Sequence, residues 1–259
     1  SLGNVVIPQE VTDKLGAENV RLWVASTDYS GDLNIDKNIL ARVVDAYRRI
    51  RNTLRFLLAN LSDFNHETDA LPLDQLLEID RYALSHAAAL QNQIVGQWQA
   101  DRQVFEGGHF GVYEFHPVVA KLQIYCSEAL GAFYLDTMKD RLYTTPAASV
   151  ARRSAQTALW HITHAMLRWM APFLSFTAEE AWASMGHPES IFTQTYVQLP
   201  AIDAGLVAKW ERVQALREVV NKHIEAQREQ GRVGSSLQAE IDLHLPQADF
   251  DLLQTLAPD

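Results

Sequence analysis

The fold class is decided by residues 36–64, which read DKNILARVVDAYRRIRNTLRFLLANLSDF. Apolar residues recur in this stretch at every third or fourth position, namely at Leu40, Val43, Tyr47, Ile50, Leu54, Leu57 and Leu61. Since an α-helix turns once in about 3.6 residues, this spacing places the apolar side chains along one face. The pattern therefore predicts a long amphipathic helix, with Asn34 or Asp36 as the residue that caps its N-terminus.

Helical periodicity continues on both sides of this stretch. Before it, residues 9–26 are expected to form one or two short helices around Gly16. After it, a long helix is expected to follow Pro72 and to end at the EGGHFG turn, because glycine disfavours helix. The apolar side of this second helix would consist of Leu76, Ile79, Ala83, Leu90, Ile94 and Trp98.

Three further long helices are predicted, at 112–143, 149–170 and 206–230. Pro117 would lie in the first turns of the first of these or at a kink. The sequence TAEE at Thr177–Glu180 has the spacing of a capping box, which would open a short helix.

Short strands are predicted near both ends of the chain. Residues 5–7 are an apolar run, and the sequence AEIDLHL at 239–245 alternates apolar and polar residues. The fold class is therefore predicted as mainly α: an antiparallel helix bundle with a small α/β N-terminal segment and a short C-terminal α/β extension. The predicted domains are a connecting segment at 1–35, the bundle at 36–200, and a linker helix with the start of a further module at 201–259.

Composition limits the classes of function. The 259 residues are 47% hydrophobic and 21% charged, with no apolar run of membrane-spanning length, so a soluble globular protein is expected. The net charge of −10 argues against indiscriminate coating of nucleic acid. The single cysteine, Cys126, excludes an internal disulfide, fits a cytoplasmic setting, and is interpreted as a core residue.

The sequence offers few candidates for catalysis or metal binding. His161 and His164 lie three apart on a predicted helix, but no third zinc ligand is evident. The spacing Glu106-Gly-Gly-His109 resembles a di-iron motif, although its glycines disfavour a helix. Motifs for nucleophilic catalysis or for phosphate and dinucleotide binding are not found. No metal site is therefore predicted.

One basic segment stands out in the acidic chain. Residues 41–56 hold five arginines and a single acidic residue, Asp45. Arginine forks suit a phosphate backbone, so RNA contact is one interpretation, and solvated salt bridges to Asp45 in a protein-interaction module are the other. The candidate RNA-binding residues, chosen from charge and spacing, are Arg48, Arg49, Arg51, Asn52 and Arg55, with Lys139 and Arg141 from the third long helix. Phe56, Phe133 and Tyr134 are interpreted as core residues.

Several segments together resemble the bacterial isoleucyl-tRNA synthetases of class I. They are SLGNVVIPQEV, GAENVRLWVASTDYSGDLNI, YRRIRNTLRFLLANL, YLDTMKDRLY, ARRSAQTAL and APFLSFTAEEAW, in that order along the chain. Ser1 looks like the last residue of the Lys-Met-Ser-Lys-Ser signature of these enzymes. The chain is therefore expected to be a fragment that begins after the catalytic signature.

The resemblance implies the fold and the role of the chain. The bundle would be the anticodon-binding domain of an isoleucine–tRNA ligase, which uses ATP to attach isoleucine to its tRNA. The fragment would have no catalytic residues and no cofactor of its own, while ATP and zinc would belong to the intact enzyme. Its expected partners are isoleucine tRNA and the catalytic and editing domains of the same cytoplasmic polypeptide, without membrane or DNA. The same domain of a valyl, leucyl or methionyl enzyme is the alternative within the class.

Overall fold

The computed structural model describes residues 6–256, which form two compact units. The first unit ends at Ile202 and the second begins at Asp203. The mainly α prediction is confirmed. None of the helices between residues 6 and 256 combines the length and the hydropathy that a membrane span needs.

The first unit contains most of the helices and both strands. Its α-helices are α1 (Pro8–Leu15), α2 (Ala17–Ser26), α3 (Lys37–Leu61), α4 (His66–Asp69), α5 (Glu78–Ile94), α6 (Phe115–Ile124), α7 (Leu135–Thr144), α8 (Val150–Met170) and α9 (Ser175–Ser184). The antiparallel strands β1 (Gly96–Gln99) and β2 (Val104–Gly107) form a hairpin. Short 3₁₀ turns occur at Leu73–Gln75, His109–Val112 and Ile191–Thr193. The second unit consists of α10 (Ala204–Glu229), a 3₁₀ turn at Ser236–Gln238 and α11 (Gln247–Gln254).

Helix α3 forms where its periodicity predicts it. Asp36 caps the N-terminus, because its Oδ1 accepts a hydrogen bond of 2.6 Å from the backbone N–H of Ile39. The apolar side packs against α2, α8 and the segment that follows α6. Ile50, Leu54 and Leu57 are almost completely buried. This burial leaves the opposite side of α3 exposed, and the arginines lie there.

Helix α8 is the centre of the first unit. It packs against α3, α5, α7 and α9, and most of its residues are buried. Ser149 caps it through a hydrogen bond of 3.2 Å from the N–H of Arg152 to the serine Oγ. Its buried surface therefore includes polar residues such as Ser154 and Gln156, which form hydrogen bonds to neighbouring elements.

The third predicted helix forms as α6 and α7 joined by a π-helical segment, Tyr125–Tyr134, which the sequence analysis did not predict. Pro117 lies in the first turn of α6, where its missing N–H is tolerated. Gly131 suits the wider turn, since a Cβ there would lie 2.8 Å from the carbonyl oxygen of Cys126. The π segment therefore changes the rotation of the α7 side chains about the helix axis relative to those of α6.

The predicted end of the second long helix was wrong. Helix α5 ends at Ile94, and Trp98 lies in β1 with its ring 5.1 Å from that of Phe105 on β2. Gly96 has a φ of 107°, a conformation that glycine adopts readily. A Cβ at this position would lie 2.1 Å from the carbonyl oxygen of Glu106. A side chain does not fit there, so the hairpin requires glycine at this position.

The two predicted strands are not formed. Val6 and Ile7 lead into α1 without strand pairing, and Val5 lies outside the described residues. Residues 239–245 have no strand partner within the described part of the chain. An alternating segment becomes a strand only when a neighbouring strand supplies its hydrogen bonds.

The prediction that a capping box at Thr177 opens a helix was also wrong. Helix α9 begins at Ser175, and Thr177 lies inside it. The N–H groups of Phe176 and Thr177 donate to the buried carboxylate of Glu18 on α2, at 3.3 and 3.2 Å. The cap of α9 is therefore a residue more than 150 positions away in the chain.

Candidate nucleic-acid interface

The exposed side of α3 carries a row of arginines. The structure places five of the predicted site residues there, all exposed: Arg48, Arg49, Arg51, Asn52 and Arg55. Arg48 pairs with Asp45 at 3.3 Å, but both side chains are more than half exposed, so this pair contributes little. Within residues 6–256, the side chains of Arg49, Arg51 and Arg55 have no hydrogen-bond or ion-pair partner. Three guanidinium groups are therefore available to an external anion.

One side of the arginine row lies next to α7. Asn52 and Phe56 are four residues apart on α3 and so lie on the same side of the helix. The ring of Phe56 meets the ring of Tyr143 on α7 edge to face, with 6.4 Å between their centroids. Lys139, one turn before Tyr143, is exposed and bonded to Asp136 at 2.8 Å, which raises the pKa of the lysine. Lys139 therefore lies one turn from the residue that contacts α3, with its charge partly compensated by Asp136.

Arg141 is directed into the protein instead. Its Nη2 lies 2.6 Å from Oδ2 of Asp80 and 2.7 Å from the carbonyl oxygen of Ala151. The Arg141 side chain is 19% exposed, and that of Asp80 is 0% exposed. The structure therefore does not bring Arg141 together with the arginine row, and its contact with RNA stays a prediction.

Asp80 is the centre of a buried polar network. Its two oxygens also accept hydrogen bonds from the hydroxyl of Tyr134 at 2.6 Å and from that of Ser154 at 2.5 Å. Burial raises the pKa of the Tyr134 hydroxyl well above its usual value, and the carboxylate of Asp80 adds to this shift. The network joins α5, the π segment, α7 and α8, and it fixes the position of α7 against α5 and α8. Phe133 and Tyr134 are buried, as predicted, whereas Phe56 is only partly buried.

Arg152 and Arg153, which are adjacent on α8, also form internal ion pairs. Arg152 lies 2.8 Å from Asp63, and Arg153 lies 3.2 Å from Asp69. Both contacts join α8 to the residues that follow α3. These two arginines hold the bundle together and are not part of the exposed row.

Cys126 is a core residue, as interpreted from the sequence. It is 2% exposed, and burial raises the pKa of its thiol to about 12. A thiol with such a pKa is not ionised near neutral pH, so it is not an effective nucleophile.

The predicted histidine pair belongs to a cluster of aromatic rings. His66 and His164 stack on Trp160 with centroids 3.7 and 3.8 Å away, and His187 stacks on Trp182 at 3.7 Å. His161 meets Trp160 edge to face at 5.0 Å. Between residues 6 and 256, no group of three or more His, Cys, Asp or Glu side chains is placed to hold a metal ion. The histidines therefore act here as packed rings.

Burial keeps these histidines neutral. It lowers the pKa of His161 to about 4 and that of His164 to about 3, and the charge of Arg168 adds to the shift at His164. Burial also lowers the pKa values of His66 and His187. Protonation would place positive charge beside Arg168 in an apolar environment.

We expect the first unit to lose stability as the pH falls from 7 to 5. Unfolded histidines have a pKa near 6.5, so the unfolded chain binds more protons below that pH and the free energy of unfolding decreases. For His161 and His164 together, the loss is on the order of 4 kcal/mol, about 2 kcal/mol for each group. Urea unfolding followed by tryptophan fluorescence at both pH values measures it.

A pair of variants separates this cluster from other histidines. His161→Gln should weaken the pH dependence, whereas His244→Gln, at an exposed position of the second unit, should not change it. An equal free energy of unfolding at pH 7 and pH 5 would contradict the prediction.

Comparisons with known proteins agree on one family. A protein-family model described as the anticodon-binding domain of tRNA ligase matches residues 108–243. Isoleucine–tRNA ligases from Ralstonia pickettii and Azoarcus sp. are 55% and 56% identical to the chain over its whole length. The isoleucine–tRNA ligase of Burkholderia ambifaria is 55% identical over the same span. The chain spans about a quarter of these relatives, 26% of the Ralstonia protein and 27% of the Azoarcus protein.

A solved structure supports the same fold. It is the ternary complex of the Agrobacterium radiobacter K84 agnB2 leucyl-tRNA synthetase with tRNA and LeuAMS. It matches 80% of this chain and 22% of that synthetase, with a TM-score of 0.50 and 18% sequence identity. From its helical architecture and the family match over residues 108–243, the chain belongs to the anticodon-binding domain family of the tRNA ligases.

Proposed function

We propose that this chain is the tRNA-binding part of an isoleucine–tRNA ligase and that the arginine row of α3 contacts the phosphate backbone of isoleucine tRNA. The observation that carries the proposal is the set of exposed guanidinium groups at Arg49, Arg51 and Arg55, which lack partners among the described residues. The identity of about 55% to isoleucine–tRNA ligases supports the choice of tRNA.

The contacts would divide into two kinds. Arginine forks bind phosphate oxygens bidentately, so the row would fix the position of the anticodon arm without reading its sequence. Side chains next to the row would then bind unpaired anticodon bases by stacking and hydrogen bonding. We leave Arg141 out of this surface because its guanidinium is bonded to Asp80, and we assign it a structural role.

In this proposal the intact, cytoplasmic enzyme activates isoleucine with ATP and transfers it to the bound tRNA. The catalytic and editing domains of the same polypeptide are the partners of this chain, and any zinc belongs to the intact enzyme. The chain itself would carry no aminoacylation activity. Ser1, the residue that resembles the end of the catalytic signature, lies outside the described residues.

A titration with isoleucine tRNA tests the proposal. We expect the chain to bind at low salt, with affinity decreasing on a log–log plot with a slope of about −2 to −4, as three or four phosphate contacts predict. The comparison tRNA carries one substitution in the anticodon and should bind more weakly.

Two results would count against the proposal. No binding at low salt would contradict it and would favour a protein-interaction module with a solvated arginine row. Tighter binding of valine, leucine or methionine tRNA would assign the domain to a sister enzyme.

A further inference from the structure

Tyr143 is an exposed aromatic side chain at the edge of the arginine row. It lies near the end of α7 and is 63% exposed, although its ring is largely apolar. Its ring contact is to Phe56 of α3. The exposed Tyr29 and Tyr113 lie instead next to each other, with 3.4 Å between the Tyr29 hydroxyl and the Tyr113 carbonyl oxygen. Tyr143 is therefore the exposed tyrosine whose ring packs on the helix that carries the row.

The position of Tyr143 is held by buried contacts. Two residues earlier on α7, Arg141 is bonded to Asp80 and to the carbonyl oxygen of Ala151. The edge contact with Phe56 supports the ring itself. A ring that is exposed but held on a rigid helix loses little conformational entropy when a ligand stacks on it.

Asn52 supplies a polar group one turn of α3 away from Phe56, the residue on which this ring packs. It is exposed, it lies one turn before Phe56 on the same side of α3, and its amide has no hydrogen-bond partner among residues 6–256. An asparagine amide offers both a donor and an acceptor, the combination that the edge of a nucleobase requires. Arg49, three residues earlier, provides positive charge at the same place.

We propose that Tyr143 and Asn52 bind an unpaired anticodon base, with the Tyr143 ring stacked on the base and the Asn52 amide bonded to its edge. This inference rests on the proposed function and adds to it the residues that distinguish one tRNA from another. The Tyr143 ring packs on Phe56 of the helix that carries the arginines, so a base next to a backbone held by those arginines would be within its reach. Stacking supplies affinity with any base, whereas the amide supplies the preference for one.

The test compares variants of the whole chain in titrations with isoleucine tRNA. Tyr143→Ala should weaken binding by about 10-fold to 100-fold, the usual range for loss of one stacked base, without changing the salt slope. Tyr143→Phe keeps the ring and should bind within about 2-fold of the unsubstituted chain. Tyr29→Ala removes a tyrosine of similar exposure away from the row and should leave binding unchanged.

A fluorescent base reports on stacking directly. Three tRNAs each carry 2-aminopurine at one anticodon position, and binding should quench the fluorescence of one of them. Tyr143→Ala should remove that quenching at saturating protein, and Tyr143→Phe should retain it. Asn52→Ala should reduce the difference in affinity between the native tRNA and the anticodon-substituted tRNA.

The outcomes separate the two proposals. If the unsubstituted chain binds tRNA but Tyr143→Ala binds equally well and keeps the quenching, the assignment of Tyr143 is wrong while the proposed function stands. If Asn52→Ala leaves discrimination intact, the assignment of Asn52 is wrong. If the unsubstituted chain does not bind at low salt, the proposed function and this inference both fail.

Discussion

Replacing Asp80 by Asn is expected to lower the free energy of unfolding of the first unit by about 3–5 kcal/mol. The substitution keeps the size of the side chain but leaves the charge of Arg141 buried without a counter-ion. It also replaces one acceptor oxygen by an amide that already carries hydrogens, so the hydroxyl of Tyr134 or Ser154 loses a good acceptor. Chemical denaturation at pH 7 measures the change.

Two further variants test the cause. Asp45→Asn breaks the exposed pair with Arg48 and should change the free energy of unfolding by less than about 1 kcal/mol. The double variant Asp80→Asn, Arg141→Met removes the unpaired charge and should recover part of the lost stability. If Asp80→Asn costs no more than Asp45→Asn, the network does not stabilise the bundle.

Reversing two charges of the arginine row is expected to weaken binding of isoleucine tRNA by about 100-fold or more at low salt. Arg51→Glu with Arg55→Glu removes two phosphate contacts and adds two repulsive charges. The slope of log affinity against log salt should become shallower by about 2. Circular dichroism should stay unchanged, because both side chains are exposed and glutamate is a good helix former.

A matched pair of reversals controls for net charge. Arg81→Glu on α5 with Arg228→Glu on α10 makes the same change in charge at exposed positions outside the row. This pair should reduce affinity far less than the reversals on α3. Equal losses from both pairs would mean that tRNA responds only to the overall charge of the chain, and the row would not be a binding surface.

The helices could be predicted from the sequence because local spacing decides them. The spacing of its apolar residues predicted that α3 forms and which of its sides is exposed. Asp36 was one of the two residues predicted to cap its N-terminus, and it does so. Helices α8 and α10 also begin and end within a few residues of their predicted limits. In each case the interacting groups lie within four residues of one another, which is the range that periodicity and capping describe.

The hairpin and the start of α9 could not be predicted in this way. The apolar period of α5 continues to Trp98, but the chain turns at Gly96 so that Trp98 can pack on Phe105. At α9, Glu18 supplies the cap from another helix, and a local capping box at Thr177 is not used. Both features depend on residues that approach only after the helices have packed.

The candidate site shows the same division. The exposure of the α3 arginines follows from their place opposite the apolar side of the helix, and the sequence indicates it directly. By charge alone, Arg141 looks equivalent to them, whereas the structure pairs it with Asp80. Tyr143 was not among the predicted site residues. The local signal that could have identified it is its position four residues, about one helical turn, after the predicted site residue Lys139.

Sequence alone was sufficient for the family resemblance, the mainly α class, most helix limits and the exposed arginine row. Tertiary structure alone decided which arginine pairs with a buried carboxylate, which carboxylate caps α9, and which tyrosine packs on the helix that carries the row. The physical reason is the range of the interactions. Helical periodicity assigns a side chain to one side of its own helix, but its partner depends on which other helix packs there, and Asp80 and Arg141 meet across 61 residues of chain.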